Sequence, residues 1–199
     1  MRFSPLLEQL IASLRCLPGV GPKTAQRMAL QLLTHGRDNG KQLAKYLLEA
    51  MEKIKHCESC RIFCEQNYCD ICLSSTRDSS LLCIVEQPID VAAIEHTSTY
   101  KGKYFVLLGH LSPLDGIGPS DIGIPLLAMH FQQGTIKEVI LATNPTVEGE
   151  ATAHYISELA KPYAIKVTRI ARGISLGSEI EFIDPHTLAH ALHGRETIR

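Results

Sequence analysis

Four cysteines are spaced as metal ligands. Two Cys-x2-Cys pairs, Cys57 with Cys60 and Cys69 with Cys72, are separated by eight residues, and Cys64 lies between them. A two-residue gap lets one tight turn deliver two thiolates to a tetrahedral ion, and zinc is the usual ion for four cysteine ligands. Because such a site has no open position for water or substrate, the spacing predicts one structural, non-catalytic Zn²⁺ per chain.

The same thiols permit other interpretations. A redox-active dithiol pair and a set of buried free cysteines both fit two closely spaced pairs. Cys64 adds a further ambiguity, because it could replace one of the four ligands; we treat it as an extra thiol. A segment of sixteen residues is too short to bury a core, so we expect residues 57–72 to fold only with metal bound.

A glycine-containing turn between two helical patterns is the second candidate site. Gly19 and Gly21 permit a tight turn with exposed backbone amides, and the next helix begins at the same point. Lys23 and Arg27 are four residues apart and share one face of that helix. Amides, a helix amino terminus and two cations together suit phosphate, so we predict sequence-independent DNA binding by these four residues. The alternative is an ordinary helix–helix turn with solvated charges.

The segments that carry these residues differ in character. Residues 1–56 show apolar positions at helical spacing, which predicts a small all-α unit. Beyond residue 80, short apolar runs alternate with helical patterns, which predicts an α/β fold with a parallel, covered sheet. The expected strands are 82–85, 104–108, 139–142 and 165–170, the expected helices lie near 89–96, 122–133 and 150–160, and 74–80 is the best linker candidate.

Polar or glycine-rich stretches follow the expected strands. In parallel sheets, functional residues collect at the carboxyl ends of the strands. Glu86 occupies such a position, Glu148 and Glu150 follow a later strand, and Asp115 lies in the loop 109–123. These carboxylates also suit a solvated sheet end, and Asp115 suits a turn cap. The loop of fifteen residues is nevertheless long for a passive connection, which favours a contact surface.

Composition indicates a globular protein with uneven charge. The 199 residues are 45% hydrophobic and 21% charged, and no apolar run approaches the roughly 20 residues that span a bilayer. Without a secretion-type leader we expect a cytoplasmic protein, whose clustered thiols hold metal rather than form disulfides. The net charge of −1 is a sum of +5 over residues 1–56, −2 over 57–72 and −4 over 73–199. The basic segment coincides with the predicted DNA-binding turn.

The order of these motifs resembles the RecR family of bacterial recombination mediators. The turn with its two helices resembles a helix-hairpin-helix motif, and a four-cysteine zinc finger follows it. Residues 109–119 and 143–152 resemble the Toprim domain as that family carries it. The resemblance implies a multidomain α plus α/β fold: a helix-hairpin-helix domain (1–56), a zinc finger (57–72), a Toprim-like parallel-sheet domain (80–175) and a short carboxyl-terminal segment (176–199).

The resemblance also implies a function. We expect a non-enzymatic, nucleoid-associated protein that binds DNA and acts with RecO and RecF in recombinational repair, assisting RecA loading at single-strand gaps. It implies self-association into a dimer or a ring tetramer that encircles duplex DNA, with Lys23 and Arg27 pointing inward. No membrane partner is expected.

The Toprim resemblance bears on catalysis. Active Toprim domains hold Mg²⁺ with a glutamate after the first strand and an Asp-x-Asp pair after a later strand. Glu86 matches the glutamate, but Asn144 and Thr146 occupy the aspartate positions. We therefore expect Glu86, Asp115, Glu148 and Glu150 to form a vestigial acidic site or a partner surface. The alternatives are a metal-dependent Toprim nuclease or topoisomerase-like enzyme that uses the glutamates, and a zinc-stabilised interaction module that never contacts DNA.

Overall fold

The computed structural model describes residues 3–171, 173–175, 177–195 and 197, and the chain divides into two compact units between Ile54 and Lys55. The first unit is helical, with α1 at Pro5–Leu14, α2 at Pro22–His35 and α3 at Arg37–Lys53. Proline stands at the start of α1 and α2, where its missing N–H costs nothing. Ala25 and Ala29 are fully buried, because their small side chains let α2 pack closely.

The third helix of this unit presents its apolar positions outward. The predicted helix exists, but none of the residues of α3, all of which the structure describes, is buried. Its apolar positions face outward, with Leu48 at 65% and Met51 at 74% exposure. The helical spacing of apolar residues was therefore a correct sign of a helix but not of a buried face within this chain.

The second unit begins with the cysteine-bearing hairpin. Strands β1 (Lys55–His56) and β2 (Phe63–Cys64) pair antiparallel, and the short helix α4 (Asp70–Leu73) follows. The hairpin thus starts two residues before Cys57. Ile62 and Ile71 pack against one face of the adjacent sheet, so the hairpin is attached to that sheet through apolar contacts.

A four-stranded parallel sheet forms the centre of this unit. Its strands are β3 (Asp78–Val85), β4 (Gly102–Val106), β5 (Glu138–Ala142) and β6 (Lys166–Arg169), in the order β4-β3-β5-β6. Helices α5 (Pro88–His96), α6 (Ile124–Gln132) and α7 (Val147–Ala160) alternate with them, and α8 (Pro185–His193) lies near the carboxyl end. The predicted α/β alternation is confirmed.

Alternate residues of the strands fill two separate cores. Ile84 and Phe105 point to one face, where they pack with residues of α6 and α7, and Cys83 and Tyr104 point to the other. Both faces are covered, which is why the strands read as continuous apolar runs. Within the ranges described, no helix is long and apolar enough to cross a membrane.

Several predicted boundaries differ from the structure by a few residues, and two of these differences matter for the candidate sites. Residues 74–80 are not all linker, because β3 begins at Asp78, whose carboxylate accepts hydrogen bonds from the amide (2.8 Å) and hydroxyl (2.7 Å) of Ser80. The helix expected from residue 150 begins at Val147, because the Thr146 hydroxyl caps it by accepting from the Gly149 amide at 3.0 Å. Glu148 and Glu150 therefore belong to the first turn of α7.

Candidate functional site

The turn between α1 and α2 uses its two glycines differently. Gly19 has φ +76°, a left-handed conformation that residues with a side chain adopt at a cost. Gly21 is the extended residue before α2, with φ −78°, and no described atom lies within 4 Å of where its Cβ would be. The amide of Val20 donates to the Leu17 carbonyl at 3.1 Å, which closes the turn. Backbone geometry thus requires glycine at residue 19 only.

One face of α2 carries the predicted cations. Lys23 and Arg27 are exposed and line a shallow cleft of about 430 Å³ together with Gln26, Leu30, Gln31, Thr34 and His35. Helix α2 contains no acidic residue, and neither cation forms an ion pair within the described part of the chain. The face therefore combines uncompensated positive charge with the unpaired amides of a helix amino terminus.

The hairpin brings the four predicted cysteines together. The Sγ atoms of Cys57, Cys60, Cys69 and Cys72 all lie within 4.8 Å of one another. The Cys69 amide donates to the Cys57 sulfur at 3.4 Å, a contact that orients a thiolate ligand. Four converging soft donors fit a tetrahedral metal ion of the zinc type. Cys64 lies outside this group, and its thiol donates to the Gln66 carbonyl at 2.9 Å.

Proton sharing among the thiols favours a cation. The pKa of the Cys72 thiol is lowered to about 5, chiefly by the hydrogen bond that it receives from Cys60. The same hydrogen bond raises the pKa of Cys60, and burial raises that of Cys69 to about 11. A thiolate surrounded by three further sulfurs is a centre of negative charge that a metal ion would neutralise.

The cysteine hairpin is hydrogen-bonded to the sheet and to α6. The amide of Val106 at the edge of the sheet donates to the Cys60 carbonyl at 2.9 Å. His130 on α6 contacts the Ser59 carbonyl at 3.0 Å through Nε2, and the Lys103 ammonium donates to the Cys72 carbonyl at 3.3 Å. The metal-binding segment therefore belongs to the α/β unit rather than forming an isolated finger.

Sequence reasoning missed Arg61, the residue directly after Cys60. Its guanidinium is partly buried and donates to the carbonyl oxygens of Leu107 (2.8 Å), Ile122 and Asp121 (3.4 Å). Burial lowers the pKa of the Arg61 guanidinium, which nevertheless stays positively charged. Nothing in the local spacing indicates this role, because every acceptor lies more than 40 residues away along the chain.

Glu86 is already occupied by hydrogen-bond donors. It is only 3% exposed, and its two carboxylate oxygens accept from the Asn144 amide (2.8 Å) and the Asn144 side-chain Nδ2 (2.7 Å). His110 Nδ1 lies 3.6 Å from Oε2. A Cβ on Gly149 would collide with the Asn144 carbonyl, so the surroundings are closely packed. Magnesium, which prefers several oxygen ligands and water, does not fit this arrangement.

The remaining acidic residues do not join Glu86. Asp115 accepts from the Ser112 hydroxyl at 2.6 Å, which makes it part of a turn, and Glu150 pairs with Arg169 at 2.7 Å. Glu148 lies in the first turn of α7. Across the residues that the structure describes, only the four cysteines form a convergent group of three or more metal-capable side chains. Within the described residues, the four predicted acidic residues therefore do not form such a convergent group.

Comparison with known families matches three successive parts of the chain. Residues 7–51 match the model described as RecR, helix-hairpin-helix, and residues 80–171 match the Toprim domain model. Residues 173–196 match the model described as RecR, C-terminal. The four-cysteine cluster lies between the first two matches, where the sequence resemblance predicted a zinc finger. The chain belongs to the RecR family of recombination mediators.

Proposed function

We propose that this protein is a non-enzymatic DNA-binding mediator that works with RecO and RecF and assists RecA loading at single-strand gaps. Its family membership supports a mediator role in recombinational repair. The observation that carries the DNA contact is the acid-free face of α2, on which Lys23 and Arg27 stand beside the Gly19 turn. The site of action would be the cytoplasm, at the nucleoid.

The contact would be made with the DNA backbone. Amides near Gly21 and the amino terminus of α2 would receive one phosphate, and the two cations would extend the contact along the strand. Such contacts carry no base information, so binding would be independent of sequence and steeply dependent on salt. One hairpin supplies few contacts, which makes the number of copies important.

Self-association would supply those copies. The outward apolar positions of α3, which include Leu47, Leu48 and Met51, form a surface that a second copy would cover. A dimer or a ring tetramer would hold several hairpins around one duplex and raise their effective concentration. In that arrangement Lys23 and Arg27 would face the DNA.

The metal would be one structural Zn²⁺ held by Cys57, Cys60, Cys69 and Cys72. Soft thiolate donors and the sulfur-directed amide support this assignment. When bound, zinc supplies the folding free energy that a segment of this size lacks. We propose domain limits of 1–56, 57–72, 80–175 and 176–199, which the three family matches and the position of the four cysteines support.

The Toprim domain would serve as a scaffold and a partner surface. Glu86 is engaged by Asn144, and Thr146 caps α7, so the two positions that carry aspartates in active Toprim domains have structural tasks here. The loop 109–123, with Asp115 and the fully exposed tip residue Leu114, would contact a protein partner such as RecO. A nicking assay on supercoiled DNA tests the enzyme alternative: Mg²⁺- or Mn²⁺-dependent cleavage that Glu86→Gln abolishes would contradict our proposal.

The experiment that tests the DNA contact compares two double variants. Lys23→Ala with Arg27→Ala should weaken DNA binding and reduce its salt slope by about 2 per bound chain, since each neutralised phosphate contributes about 0.9. Lys41→Ala with Lys45→Ala removes the same charge at the same spacing from α3 and should leave the slope unchanged. Equal effects of the two pairs would favour nonspecific attraction over a built contact.

A second measurement tests the assembly. Sizing of the protein by light scattering, with and without DNA and RecO, should show a dimer or tetramer whose mass increases with each addition. Leu48→Glu with Met51→Glu should give a monomer, because both side chains would introduce charge into the covered surface. A wild-type protein that stays monomeric with DNA present would overturn the ring.

A further inference from the structure

Arg61 joins the cysteine hairpin to the loop 109–123. Its side chain leaves the hairpin directly after Cys60 and reaches carbonyl oxygens at both ends of that loop, Leu107 before it and Ile122 near its end. A second nitrogen, Nη2, donates to Asp121 at 3.4 Å. One planar cation therefore replaces several hydrogen bonds that these backbone groups would otherwise make with water.

The surroundings are shaped to hold this guanidinium. Gly123 has φ +79°, and a Cβ there would collide with Arg61 Nη1. The Arg61 Cζ lies 5.9 Å from the centre of the Phe105 ring, within the range of a cation–π contact. The glycine and the aromatic face together leave a slot that the guanidinium fills.

The backbone of Arg61 is set by the first cysteine pair. Its amide donates to the Cys57 carbonyl at 2.9 Å, which closes the turn between the two cysteines. Its φ of +66° is uncommon for a residue with a side chain and persists only where the surroundings determine it. Thiolates fixed by a metal ion would hold this turn, and hence the direction in which Arg61 leaves it.

We propose that Arg61 is a positioning residue that couples the metal state of the cysteine site to the order of the loop 109–123. This inference goes beyond the proposed function, because it holds whether or not the loop binds a partner. It identifies the zinc finger as a control point for the Toprim surface in addition to a means of stabilising residues 57–72.

Because of the other contacts that hold the loop, loss of Arg61 should affect its two ends unequally. The beginning of the loop is held independently, since Gly109 donates to the Glu86 carbonyl (3.1 Å) and Leu111 to the Thr152 hydroxyl (2.9 Å). The end depends on Arg61, on the buried side chains of Ile122 and Ile124, and on short local hydrogen bonds, such as Gly123 to Ser120 at 3.2 Å. Loss of Arg61 should therefore loosen the end of the loop more than its beginning.

Hydrogen exchange of the full-length, zinc-loaded protein tests this inference. Arg61→Ala should speed exchange of the Asp121, Gly123 and Ile124 amides by about tenfold or more through local opening, while the amide of Leu111 changes little. Bound zinc per chain should stay at the wild-type value. Arg169→Ala, which removes an arginine from the opposite edge of the sheet, is the matched control and should leave these amides unchanged.

Two further measurements separate positioning from general stability. Guanidinium ion added to Arg61→Ala at low, non-denaturing concentration should restore protection, whereas Arg61→Lys should protect only partly, because an ammonium cannot span three carbonyls. Chelation of the wild type should expose the same amides, and chelation of Arg61→Ala should expose them no further.

Three outcomes would overturn the inference. The first is unchanged exchange of the loop end after chelation of the wild type, and the second is additive effects of chelation and Arg61→Ala. The third is faster amide exchange at the end of the loop that is matched by equally faster exchange in the buried part of α7 around Ile156. None of these outcomes depends on DNA binding by Lys23 and Arg27, so this inference and the proposed function can fail separately.

Discussion

The cysteine cluster and the Glu86 site lie in the same α/β unit and differ in what occupies their ligand atoms. At the cysteines, four sulfurs converge on one point, and the pKa of the Cys72 thiol is lowered to about 5, which favours the thiolate that a metal ion binds. At Glu86, two donors from Asn144 already satisfy both carboxylate oxygens. The difference teaches that a metal site requires several suitable donor atoms converging on one point, and that a single acidic residue at a matching sequence position can instead be held by donors of the protein.

The largest effect should come from the cysteines. Cys60→Ser should abolish stoichiometric zinc and lower the free energy of unfolding by on the order of 5 kcal/mol, because structural zinc sites contribute on the order of 10 kcal/mol of coupled binding. Metal analysis together with urea unfolding measures both quantities. Cys64→Ser is the matched control, since its thiol contacts the Gln66 carbonyl, and it should keep its zinc. Equal zinc loss in the two variants would make Cys64 a ligand.

A smaller effect is expected at Glu86. Glu86→Ala removes the acceptor of two Asn144 donors and should lower the free energy of unfolding by about 2 kcal/mol, the usual cost of unsatisfied buried polar groups. The loss should be the same with and without Mg²⁺ in the urea titration. Magnesium that stabilises the wild type but not this variant would show that Glu86 binds metal after all.

Two substitutions should convert the Glu86 site into one that binds a metal ion. Asn144→Asp with Thr146→Asp places a carboxylate beside buried Glu86 and should cost about 1–2 kcal/mol without metal, because like charges repel there. Millimolar Mn²⁺ should recover that stability, as followed by thermal unfolding and calorimetry. Asn144→Ser with Thr146→Ser is the uncharged control and should not respond to Mn²⁺. If the stability of the charged variant also does not respond to Mn²⁺, residues other than Asn144 and Thr146 must prevent metal binding.

The smallest effect is expected at Glu150. Its contact with Arg169 is partly exposed, so Glu150→Gln should change the free energy of unfolding by less than about 1 kcal/mol. Glu158→Gln, which breaks a similarly exposed pair with Lys161, should behave alike. A much larger loss at Glu150 would assign it a structural or metal-binding role that its partial exposure does not suggest.

The cysteine site and the sheet were predictable because their signals are local. Two Cys-x2-Cys pairs specify their own turns, and continuous apolar runs specify buried parallel strands, so the four strands were located with errors of a few residues at their ends. The Arg61 and Glu86 contacts were not predictable. They join residues 46 or more positions apart, and no spacing rule reports such pairs.

Glycine explains one of the errors. The first turn of α7 contains Gly149, a residue of low helix propensity, and the observed helix starts three residues before the expected one. The actual role of Gly149 is close approach, since any Cβ would collide with the Asn144 carbonyl. The outward face of α3 is a similar case, because helical spacing shows that an apolar face exists but not which chain covers it.

The hydrogen bond from the Val106 amide to the Cys60 carbonyl has a consequence for handling of the protein. It places the cysteine hairpin over the outer edge of β4, and an uncovered strand edge is a template on which other chains can add as strands. Protein molecules that lose a bound metal ion should therefore associate through this strand edge. Light scattering after chelation should rise if this edge becomes exposed.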